Sequence, residues 1–192
     1  MPIERSVAVL ATHLQQLREV LSTAQFTITE DQPKRSQSIL ADALENGVDD
    51  ALGYAQEALE HAVAARESLG GPFDFDATRR YLGKSQKAFL ASANCYFSQV
   101  VAHERLTGFE RLAAKRGGEW QSWAESVKVG LDKCREPIDA ANRAFLDCWE
   151  DLTEALTIAL MLRPEPASHA APQNPAKRQV SRAKKLSSPK SK

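Results

Sequence analysis

The sequence predicts an all-α fold, an elongated antiparallel bundle of about four helices, three of them long, followed by a disordered basic tail. Apolar residues recur at steps of three and four through most of residues 1–162, and Gly70-Gly71-Pro72 and Gly117-Gly118 fall between the periodic runs. No stretch alternates apolar and polar residues as a half-buried strand does.

The first helix is expected over residues 3–26. Ile3, Val7, Leu10, Leu14, Leu17 and Leu21 follow a 4-3-4-3-4 spacing, the seam of a coiled coil. Such a seam completes a bundle within the chain or pairs with the same helix of another copy, so these six residues are candidates for self-association into a homo-oligomer. The pattern fades at Phe26-Thr27-Ile28-Thr29, where β-branched residues lower helix propensity, and Pro33 offers a first-turn start for the second helix, 33–69. There, pairs such as Leu40/Ala43, Leu52/Ala55 and Ala62/Val63 set a large residue beside a small one on each turn, which permits close helix approach.

Asp74 or Asp76 can cap the third helix, 76–116, which carries Leu82, Phe89, Tyr96, Val100, His103 and Leu106 along one side. The fourth, 119–162, has the clearest pattern, from Trp120, Trp123, Val127, Leu131 and Cys134 to Ile138, Ala141, Phe145, Cys148 and Leu152. Its phase is unchanged across Pro137, so a single helix kinked near that proline is expected rather than two helices. At about 1.5 Å per residue the last three helices are each roughly 54–66 Å long, and short connections favour antiparallel neighbours.

After Leu162 the composition changes. Arg163-Pro164-Glu165-Pro166 stops the helix and no aromatic residue follows, so residues 163–192 read as a disordered tail. The formal charge of zero conceals a division: from Arg163 onward there are eight Lys and Arg against one acid, and residues 1–162 hold the other 17 bases and 24 acids. Lys177, Arg178, Arg182, Lys184, Lys185 and Lys190 are candidates for a salt-sensitive tether to nucleic acid, an acidic protein or an anionic membrane surface. Lacking aromatics, the tail has no stacking platform for single strands.

The N-terminus has no signal-peptide pattern and no apolar run reaches the ~20 residues of a transmembrane segment, so a cytoplasmic protein is expected. Cys95, Cys134 and Cys148 include no CxxC and read as reduced core residues.

Long bundles of this kind can hold metals on Glu-x-x-His motifs, but none of the four histidines has Glu three residues before it. Glu57 and His61, four apart, make two ligands and not a site. No HExxH, GxSxG, GxGxxG or GxxxxGK[ST] occurs. His103 beside Glu104 reads as a core histidine, and Trp120, Trp123, Phe145 and Trp149 read as packing residues. Of that aromatic set Trp120, just after Gly117-Gly118, is the candidate anchor for a partner at a bundle end. The expectation is a non-enzymatic interaction module without cofactor or metal, a scaffold or adaptor for an unknown protein partner with the tail as tether. The alternatives are a nucleic-acid-associated protein acting through the tail and a metal-binding or enzymatic bundle.

Overall fold

A computed structural model describes residues 2–24, 47–70 and 74–161. They form four helices, α1 (Pro2–Thr23), α2 (Gly47–Glu67), α3 (Phe75–Arg116) and α4 (Glu119–Met161), and no strand occurs among the described residues. The expected first helix therefore ends at Thr23 rather than at residue 26, and the part of the second expected over 33–46 lies outside the described residues. The tail and its six candidate bases also lie outside them.

α1 packs against α2 and α4, and α3 packs against the same two helices, so the four form a closed ring of neighbours. Consecutive helices run antiparallel. Glu4 pairs with Arg66 and Arg18 with Asp49, the order reversed between α1 and α2. Ser85 and Ser92 bond to the carbonyls of Ala58 and Ala51, again in reversed order. Among the described residues α1 and α2 span 22 and 21 residues, and α3 and α4 span 42 and 43.

Local chemistry sets the helix ends. The Asp74 carboxylate accepts the Ala77 N–H at 2.9 Å as an N-cap, leaving the helix proper to begin at Phe75. At the other end Lys115 and Arg116 face the negative end of the helix dipole, and Gly117 and Gly118 adopt φ of +74° and +65°. Those left-handed angles suit glycine and let the chain reverse within two residues. α4 runs unbroken through Pro137. The ring nitrogen donates nothing to the preceding turn, but packing on both sides holds the helix together.

The expected α1 seam is internal, which corrects its assignment as a self-association surface. Ile3, Val7, Leu10, Leu14 and Leu17 are buried in the main core, with Leu21 packed at its edge. α1 packs against α2 and α4 of the same chain, so its five buried seam residues are not available to a second copy. The rest of that core comes from an alanine stripe on α2, from Leu82, Phe89 and Tyr96 on α3, and from Phe145, Cys148 and Leu152 on α4. A second, smaller cluster of Leu106, Ala113, Trp123, Ala124 and Val127 joins the C-terminal half of α3 to the N-terminal half of α4, which among the described residues form an arm of two helices.

Candidate functional site

Among the described residues no three His, Cys, Asp or Glu side chains come together in a way that could hold a metal. The sequence-derived chemical candidates remain apart. Glu57 and His61 approach to 3.7 Å on an exposed turn of α2, where the imidazole also stacks on Tyr81 at 6.4 Å. His103 is buried on α3, whereas the side chain of Glu104 lies in solvent. Burial lowers the His103 pKa, which keeps the imidazole neutral.

The cysteines are free, and burial raises all three thiol pKa values, with Cys134 pushed up to about 11 and Cys148 to about 12. A thiol held protonated is a poor nucleophile, so these residues serve packing. Tyr96 is likewise held in its neutral form by burial, then by the Asp139 charge. Its hydroxyl lies 2.9 Å from both the Ile138 carbonyl and Asn142 Oδ1, just beyond Pro137.

An apolar cavity of about 230 Å³ opens at the end of the bundle where α1 and α3 begin and α2 and α4 end. Pro2, Leu69, Phe75, Leu82 and Ile158 form its wall, and Asp151 and Glu154 supply the charges. This composition suits an apolar group and offers no assembly of nucleophile, base and orienting partner.

Trp120, the expected anchor, is half-buried. Its ring packs edge-on to Phe109 at 5.8 Å and carries the Arg116 guanidinium 5.1 Å from its centroid. Both contacts hold it against the arm, so the more exposed tryptophan is Trp149 on α4. Trp149 stacks on Phe89 at 6.2 Å with one side and meets solvent with the other. Nearby in the arm, Trp123 Nε1 is buried without a hydrogen-bond acceptor among the described residues.

Trp149 belongs to a larger surface that apolar core periodicity does not mark. Leu90, Phe97 and Val101 on α3 and Leu146, Trp149 and Leu160 on α4 are each between 43% and 65% exposed. Their spacings, 7 and 4 on α3 and 3 and 11 on α4, set each trio along one side of its helix. A groove of about 470 Å³ runs between the two helices here, with Gly83 and Gln86 on one bank and Trp149, Thr153 and Leu160 on the other. The outward α3–α4 face is thus an apolar strip, while the opposite sides of both helices are covered. The arm adds Leu112 and Val129, both more than half exposed.

Charge is divided between the same two helices. α3 carries eight Lys and Arg against three Asp and Glu, and α4 carries four against nine. The bundle is therefore not uniformly acidic: its basic helix lies beside its most acidic one. Among the described residues no helix is long and apolar enough to cross a membrane.

Comparison with known proteins gives no relative: no family model, no curated protein and no solved structure matches this chain.

Proposed function

We propose that the chain is a non-enzymatic cytoplasmic interaction module, a scaffold or adaptor, with residues 163–192 as an electrostatic tether. The observation that carries this reading is the exposed apolar surface of α3 and α4, to which Leu112 and Val129, both more than half exposed, belong. Exposed apolar side chains on a packed helix pair suit docking, whereas catalysis needs convergent polar groups. The basic tail adds a contact of low specificity, whose affinity for phosphate falls with salt.

The test is affinity capture from nuclease-treated native lysate with the full chain, with residues 1–162 alone, and with a Leu112→Asp/Val129→Asp variant. The adaptor reading expects one protein enriched by the first two and lost with the third. Enrichment that needs residues 163–192 and disappears with nuclease would replace it with a nucleic-acid-associated function.

A further inference from the structure

We propose that the outward α3–α4 face binds a second copy of this chain, forming a two-fold dimer whose axis runs parallel to the helices. The α1 seam is used up inside the chain, so any pairing of copies needs another apolar surface. The α3–α4 strip is one: six large apolar side chains, each between 43% and 65% exposed, on two adjacent helices.

What selects a second copy as the occupant is charge. A two-fold axis parallel to the bundle and lying over the groove sets α3 of one chain against α4 of the other, twice. The basic helix, with eight bases and three acids, then meets the acidic helix, with four and nine, on both sides of the axis. A face made of one sign of charge would repel itself in this arrangement, whereas this one complements itself.

Heights along the helices match as well. Phe89 stacks on Trp149 within the chain, and because α3 and α4 are antiparallel, Lys87 stands level with Glu150. An axis parallel to the helices preserves height. Lys87 of one copy therefore faces Glu150 of the second copy. At 100° per residue, Lys87 lies about 60° round α3 from Leu90, on the side away from α4, and Glu150 about 40° round α4 from Leu146, on the side away from α3. Both flank the apolar strip and form its polar rim. Both side chains are exposed and enter no ion pair within the described residues.

Sedimentation equilibrium of the full chain tests the proposal. The expected species has twice the chain mass at micromolar concentration. Lys87→Glu or Glu150→Lys should each weaken association about tenfold or more, because each reversal occurs twice per dimer. The combined K87E/E150K chain should recover to within about threefold, since opposite charges again face each other. Leu146→Asp, at the most exposed apolar position of the strip, should weaken association about a hundredfold. Unchanged far-ultraviolet dichroism verifies the fold of each variant. A chain that stays monomeric up to 100-fold higher concentration overturns the proposal, as does a dimer indifferent to these substitutions or one the charge swap fails to rescue. Open-ended higher species would show a heterologous contact and overturn the two-fold arrangement.

Discussion

The α2–α3 and α3–α4 interfaces share a helix and an antiparallel arrangement but are built from opposite kinds of side chain. On α2 the buried line is Ala51, Ala55, Ala58, Ala62 and Ala65, and α3 answers with Thr78, Ser85, Ser92 and Gln99, seven residues apart and all buried. The Ser85 and Ser92 hydroxyls donate to the carbonyls of Ala58 and Ala51 at 2.8 and 2.7 Å, which requires close backbones. Across the other side of α3 the contact is aromatic. Phe145 lies 4.7 Å from Tyr96 and 5.7 Å from both Phe89 and Phe97, centroid to centroid. One interface holds two helices together by leaving little between them, the other by filling the space. They should therefore fail in opposite directions, the first when a residue is enlarged and the second when one is cut back.

The largest expected effect is on the filled side. Phe145→Ala leaves a cavity among three aromatic rings and should cost about 3–5 kcal/mol, read as a lower urea midpoint with an unchanged slope. On the close side Ala58→Leu forces α2 and α3 apart and should cost about 1–3 kcal/mol, although it adds apolar surface. Removing a hydroxyl is milder. Ser92→Ala should cost about 1 kcal/mol in the same assay, because the Ala51 carbonyl keeps its helical position and loses only the added donor.

A pH titration examines the next turns of α3, where His103 follows Gln99 by four residues. Its folded pKa is lowered, so below the unfolded value of about 6.5 the unfolded chain takes up a proton first and stability falls as pH falls. Thermal melts between pH 7.5 and 5.5 should show this decline, and His103→Gln should flatten it. The smallest effect belongs to the exposed α1–α2 rim. Asp49→Asn removes the pair with Arg18 and should shift stability by less than about 1 kcal/mol.

The two interfaces also differ in how far the sequence reveals them. Helix type, the Gly117-Gly118 reversal, the continuity of α4 through Pro137 and the bounds of α3 all follow from apolar spacing and from glycine and proline chemistry. The α1 spacing reveals a seam but not its partner, because a 4-3 repeat looks the same whether the facing helix belongs to the same chain or another. The Thr78–Ser85–Ser92–Gln99 line escapes a search for apolar periodicity, since its members are polar, yet its strict seven-residue step is visible once hydroxyls are counted as core. Trp149 is one residue out of phase with Cys148 and Leu152. The same offset, read with Leu146 and Leu160, marks the second stripe that the core pattern passes over.

Gly47 gives the close interface a single vertical alignment. Hydroxyls every seven residues facing alanines at steps of four and three nearly repeat themselves, so sliding α2 by one heptad along α3 would offer each hydroxyl another carbonyl. The end of the helix removes that degeneracy. A methyl group at Gly47 would already sit 3.1 Å from the Cys95 carbonyl oxygen and 3.0 Å from Gln99 Oε1, and a slip of one heptad would bring Tyr54 to that place. The missing side chain acts like the notch of a key, admitting one depth of insertion and rejecting its near-copy one step away.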